Sequence, residues 1–159
     1  MTNSDSAAYA TAVNDIRNLL HRYCELQDTG DMEATTELFR YSSYIVPGVA
    51  SHHGYDEILK AKSGNKKYDD GTLKTKHVTT NSIIEVDLDA GTATARSYFT
   101  VFQATPQLPL QPIIAGRYYD RFECVDGTWR YCELMIYGDL RGNMTAHIPN
   151  NPLEPSSTH

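Results

Sequence analysis

Long apolar runs are missing from this 159-residue sequence. None approaches the roughly 20 residues needed to cross a bilayer, so no membrane span is expected. The first ten residues are polar and small, with neither a basic flank nor an apolar segment. That excludes a secretory signal and reads as a short disordered leader. Uncompensated basic clusters are also missing: the net charge is −6, and the densest basic group, Lys60, Lys62, Lys66 and Lys67, is followed at once by Asp69 and Asp70. A nucleic-acid surface needs a basic face without such compensation, so this stretch reads as a solvated helix end and loop. Cysteine is scarce. Cys24, Cys124 and Cys132 are odd in number and widely spaced, which argues against a disulfide framework or a zinc site and fits buried free thiols in a reducing cytoplasm. No His, Asp and Glu group has ligand spacing, so no metal is expected.

What is present fits one domain with a hydrophobic core. Hydrophobic residues make up 40% and charged residues 21% of the chain, and the reading is a single domain over 1–148 with an extended or disordered tail over 149–159. Ile16, Leu19, Leu20 and Tyr23 recur at helical spacing, with Leu26 continuing the stripe. Gly30 is a natural stop, and Asp31 can cap a second short helix through Leu38 and Phe39. A short strand over 44–46 ends at Pro47-Gly48, and a third helix is expected over 55–62. Segments 76–88 and 92–104, joined by Asp89-Ala90-Gly91, read as a hairpin. The three prolines of 105–112 mark that segment as a connection and not a ladder strand. Segment 113–125, the turn Asp126-Gly127 and a return from Trp129 to Tyr137 make a second hairpin. Helices followed by a meander of long strands imply an α+β fold whose curved, mostly antiparallel sheet wraps around the N-terminal helices as a cone.

Several runs carry a family resemblance: Ile16…Tyr23…Asp28-x-Gly30-Asp31…Leu38-Phe39, Thr75-x-His77-x-x-x-Asn81, Ala95-Arg96-Ser97-Tyr98-Phe99, Gly116-Arg117-Tyr118-Tyr119-Asp120-Arg121-Phe122 and Asp126-Gly127-x-Trp129-Arg130. Together they resemble the SnoaL-like proteins of the NTF2-like superfamily over roughly 16–137. That superfamily holds dehydratases, dehydrochlorinases, cyclases, isomerases, binding domains and dioxygenase small subunits, so the fold alone does not assign an activity. Scytalone dehydratase, lindane dehydrochlorinase and bile-acid dehydratases are similar to this chain at Asp28 and His77. The resemblance implies that Asp28 orients His77 and that His77 removes a proton from carbon. The physics agrees, because a carboxylate on one ring nitrogen fixes the tautomer and leaves the other nitrogen as a base. His21, His52, His53, His147 and His159 lack such a partner and read as surface or loop residues, with His52-His53 at most a lid.

If His77 points inward, strand alternation brings Thr79 and Asn81 with it. Matching to family pockets implies Tyr98, Thr100 and Phe102 on the next strand and Ile114, Gly116 and Tyr118 on the third. Tyr23 and Tyr44 fall where relatives carry a pocket lysine and a pocket tyrosine. The candidate substrate-binding set is therefore Tyr23, Tyr44, Asn81, Tyr98, Phe102 and Tyr118. Tyrosine-rich walls suit a flat, small aromatic or polyketide-like substrate bearing oxygens. There are departures. The second histidine of scytalone dehydratase falls on Phe102 or Gln103, its pocket asparagine on Tyr118, and an arginine of lindane dehydrochlorinase near Leu134. The expectation is a cofactor-independent lyase in which Asp28 and His77 perform a dehydratase-type elimination. A variant is deformylating carbon–carbon cleavage, as in the sphingomonad diarylpropane lyases that share the fold. An isomerase or cyclase would use the same dyad. A non-catalytic ligand-binding or dioxygenase small-subunit-like domain is the alternative of a different class. The resemblance also implies a homodimer or homotrimer.

Overall fold

The computed structural model describes residues 3–149. Helix α1 (Asn3–Thr29) begins well before the expected start. The supposed leader is helical from Asn3, because Ala7, Ala8, Ala10 and Ala12 are strong helix formers and Asp5 sits favourably in the first turn. Its buried stripe runs Ala12, Ile16, Leu20, Cys24 and Asp28 at strict i+4 spacing, with Tyr23 and Gln27 beside it. A helix that buries apolar residues for three turns thus ends by burying a carboxylate. Gly30 stops it at φ 76°, and a Cβ there would lie 2.2 Å from the Gly71 carbonyl oxygen, so glycine answers both a backbone and a packing demand. Asp31 caps α2 (Met32–Glu37) by accepting the Ala34 N–H at 2.9 Å.

Strands β1 (Ser43–Val46) and β2 (Ala50–His53) form a hairpin around Pro47-Gly48. His52 and His53 therefore belong to an edge strand and not to a lid, and His53 is held by the Ser43 hydroxyl at 2.9 Å. Helix α3 (Gly54–Lys62) follows. The rest is β3 (Thr75–Asp87), β4 (Thr92–Thr105), β5 (Leu108–Val125) and β6 (Thr128–Arg141). The six strands form one curved, unclosed sheet in the order β2-β1-β6-β5-β4-β3, antiparallel except where β1 meets β6. The proline-rich segment is a correction: β5 begins at Leu108, with Thr105 paired to Leu108, Gln103 to Gln111 and Phe102 to Pro112. Its pairing to β6 starts only at Ile114, so Pro109 and Pro112 lie where β5 is paired to β4 alone, and Pro106 precedes the strand.

Alternation along β4 sends Ala93, Ala95, Ser97, Phe99, Val101 and Gln103 inward. They meet α1 together with Tyr118 and Phe122 of β5 and Tyr131 and Leu134 of β6, enclosing one core. Register breaks interrupt β3 between Thr80 and Ile83 and β5 near Ile114, and such bulges bend the sheet around the helix. The expected tail lies outside the described residues except for Pro149, an exposed turn residue.

Candidate active site

Two elements distant in sequence create the site. Asp28 closes the buried stripe of α1, and His77 is the third residue of β3. Oδ1 of Asp28 lies 2.6 Å from Nδ1 of His77, with the two side chains 8% and 7% exposed. The carboxylate also accepts the Thr75 hydroxyl at 2.8 Å and the His77 backbone N–H at 2.9 Å. Burial alone would raise the carboxyl's pKa. The His77 ring, its backbone N–H and the Thr75 hydroxyl outweigh that and hold it below its usual value, so Asp28 is an anion. An anion at Nδ1 keeps the proton there and leaves Nε2 with the lone pair. Nε2 has no protein hydrogen-bond partner among the described residues. The strand presents this geometry because β3 begins immediately after Lys74, whose φ of 56° turns the chain onto the end of α1.

His77 pairs with Val101 across the ladder, and Thr79 pairs with Phe99 and is 3.1 Å from the Cys24 thiol. Tyr118 points inward as expected, stacked on Phe99 at 4.3 Å and edge-on to Tyr23 at 6.0 Å. Tyr23 and Tyr44 both contact Phe39 in the interior. Burial raises the pKa of both Tyr23 and Tyr118 well above the usual tyrosine value, helped at Tyr23 by the neighbouring tyrosines and at Tyr118 by Cys24, so both are kept as hydrogen-bond donors.

Four expected pocket residues lie elsewhere. Tyr98 is 55% exposed, on the outer face, because it alternates with the buried Ser97 and Phe99. Phe102 pairs with Lys76 on that same outer face, since it follows Val101, the neighbour of His77. A one-residue slip in matching reverses a strand's face, and that accounts for both, as for Thr100. Asn81 leaves the inner face for a local reason. It takes φ 53° at the β3 bulge, which breaks the alternation begun at His77 and Thr79, and it lines an outer groove of roughly 300 Å³ with Tyr98 and Tyr119.

Two functional candidates were not legible as such. His147, expected at the surface, is 5% exposed and faces His77 at a ring separation of 6.2 Å. Burial, and then the nearby His77, push its pKa down to about 4, so it is neutral. Its segment is strapped over the site: Tyr68 and Gln103 both donate to the Ala146 carbonyl, at 2.7 and 3.1 Å, and Lys66 N–H donates to the His147 carbonyl. Nothing in its sequence surroundings signals that return. Lys62 is the second. It was expected in a solvated helix end, yet it is 4% exposed and turns inward from the last turn of α3. Further buried polar atoms have no partner within the described protein: Ser97 Oγ, both carboxyl oxygens of Asp120, the Tyr131 hydroxyl and His147 Nδ1. Groups of this kind are available to water or a bound molecule. Among the described residues no cluster of His, Cys, Asp and Glu could hold a metal, and no helix is long and apolar enough to cross a membrane.

Comparison with solved structures places this architecture among known folds. A cystatin-like-fold NTF2-like protein of Novosphingobium aromaticivorans is 24% identical, with 91% of this chain and 94% of that one covered at a TM-score of 0.70. A protein of the same organism provisionally named a scytalone dehydratase is 20% identical, covering 94% and 99% at a TM-score of 0.72. The beta subunit of an aromatic-ring-hydroxylating dioxygenase, again a provisional name from that organism, is 19% identical, covering 88% and 97% at 0.69. These similarities establish the fold. No functionally curated protein matches the sequence. The SnoaL-like domain model matches residues 8–135, a span that contains most of α1, the whole Asp28–His77 dyad and most of the sheet, and the chain therefore belongs to the SnoaL-like family.

Proposed function

We propose that the protein is a cofactor-independent lyase acting on a small aromatic substrate, with His77 as the base and Asp28 as its positioning partner. The observation that carries this reading is the 2.6 Å contact between the Asp28 carboxylate and Nδ1 of His77, which leaves Nε2 without a partner among the described residues. In an elimination, Nε2 takes the proton from carbon, that carbon–hydrogen pair forms the new double bond, and hydroxide leaves from the neighbouring carbon with a proton from an acid. Asp28 stabilises the imidazolium that results and keeps the tautomer correct for the next turnover. Tyr118 and Tyr23, held protonated by burial, supply the hydrogen bonds to the substrate's developing oxygen charge or to the leaving group. His147, neutral and beside the dyad, offers a further hydrogen bond at the same end.

The same base serves carbon–carbon cleavage when it takes a hydroxyl proton instead of a carbon-bound one, and removal of the carbon-bound proton serves isomerisation or ring closure when the carbanion is quenched internally. The relative named as a dehydratase supports the elimination. The test is turnover of a panel of hydroxylated aryl compounds followed by mass spectrometry. Loss of water, or of formaldehyde, from one of them is the expected product signature, and it should vanish in His77→Ala. A substrate turned over equally by His77→Ala would overturn the assignment.

A further inference from the structure

Lys62 is a buried cationic side chain with no carboxylate paired to it among the described residues. It is 4% exposed, and no ion pair involves it among the described residues. Nζ donates to Gln27 Oε1 at 3.0 Å and sits over the rings of Tyr44, Tyr23 and Phe39 at 4.5, 5.0 and 5.5 Å. A lysine amine has three donor positions when charged, and one is used on a neutral amide oxygen. Aromatic faces offset part of the cost of burying the charge but supply no counter-ion. A structural lysine in such a place would be replaced at a gain by an apolar residue, because an unpaired buried charge is among the more expensive features a fold can keep. Burial pushes its pKa down to about 7, which is the response of an amine that lacks its anion.

Its place relative to the dyad is defined by α1. Gln27, which holds Lys62, and Asp28, which holds His77, are consecutive residues on the last turn of that helix. Between the two ends runs a continuous aromatic wall: Lys62 over Tyr23, Tyr23 edge-on to Tyr118, Tyr118 stacked on Phe99, and Phe99 paired with Thr79, two residues from His77.

We infer that Lys62 is the anchor for a carboxylate borne by the aromatic substrate, with the Tyr23 and Tyr44 rings beside it and the reacting carbon directed to His77 at the other end of the wall. The substrate class is thus an aromatic carboxylic acid. This deepens the lyase reading by naming its substrate, but binding at Lys62 does not require the dyad to be catalytic.

The experiment measures calorimetric binding of two isosteric probes, 4-hydroxybenzoate and 4-hydroxybenzamide, to the full-length protein, to Lys62→Met and to His77→Ala. The acid is expected to bind the unaltered protein at least tenfold more tightly than the amide, with the preference kept in His77→Ala and lost in Lys62→Met. At pH 8, above the value of about 7 that the buried amine has in the unliganded protein, binding of the acid should take up a proton, seen as a dependence of the heat on buffer ionisation enthalpy. A lysine that only fills space would give no such uptake. Lys62→Gln serves if Lys62→Met fails to give a cooperative melt. Equal binding of acid and amide, binding of neither, or a preference retained without Lys62 overturns the inference. Loss of turnover in His77→Ala with the preference intact separates the fate of this site from that of the dyad.

Discussion

The Asp28 carboxylate accepts from His77 twice, once from the ring at 2.6 Å and once from the backbone N–H at 2.9 Å. One acidic group therefore fixes both the strand's approach to the helix and the orientation of the imidazole. The double contact divides its role into a structural part and a chemical part, and substitutions can separate them.

Asp28→Asn retains an oxygen for the Thr75 hydroxyl or the His77 N–H but loses the charge that keeps the ring proton on Nδ1. Turnover of an identified substrate should fall by about 10³–10⁴-fold, as loss of tautomer control does in comparable dyads, while the circular dichroism spectrum stays that of the unaltered protein. A rate within threefold of the original would show that the carboxylate only braces the fold.

The stability of the fold should carry the signature of Asp28 on the acid side. Its folded pKa lies below the ordinary 3.8, so its contribution is fully present above that value and is lost as pH falls through the folded value. Denaturant titrations between pH 2 and 6 should show stability falling below about pH 4, with a shallower fall in Asp28→Asn.

Lys62→Met should stabilise the protein at neutral pH. The folded amine titrates near 7 and the free one at 10.5, so below pH 7 the folded state carries an unpaired buried charge. Between those values the unfolded chain binds the extra proton and stability rises with pH. The gain from Lys62→Met is therefore largest at or below pH 7 and shrinks towards pH 10.5, as urea midpoints at several pH values would show. Such a gain is what a residue kept for binding at the expense of stability predicts.

Tyr98→Ala and Tyr118→Phe should have opposite outcomes. Tyr98 lies on the outer face, and its loss should leave turnover unchanged. Tyr118→Phe removes a buried hydroxyl donor inside the core and should lower kcat by about 10-fold or more while leaving the fold intact. Kinetics of the two variants on one substrate are the check.

Much of this was legible in the sequence because it rests on local rules. The stripe of α1, the stop at Gly30, the cap at Asp31 and the turns at Gly91 and Gly127 each follow from spacing or from residues suited to positive φ. Asp28 and His77 were legible because they stand at matched positions on elements of opposite type. What was not legible depends on register and on long-range return. Tyr98 and Phe102 were placed on the wrong face by a single residue, and Asn81 was displaced by a bulge that no alternation pattern announces. The strand at Leu108 was hidden by prolines tolerated only because β5 is an edge there. In sequence Lys62 reads as part of a charged helix end, whereas α3 turns that residue inward, and His147 owes its place to residues 142–149 folding back over the dyad.

The measurement that tests the central claim most directly needs no substrate: proton–nitrogen NMR of the His77 ring at a pH where it is neutral. The account predicts one dominant tautomer with the proton on Nδ1, strongly deshielded by Asp28, and Nε2 bare, with that order lost in Asp28→Asn. A proton on Nε2, or a ring averaging freely between tautomers in the unaltered protein, would contradict an oriented base at His77.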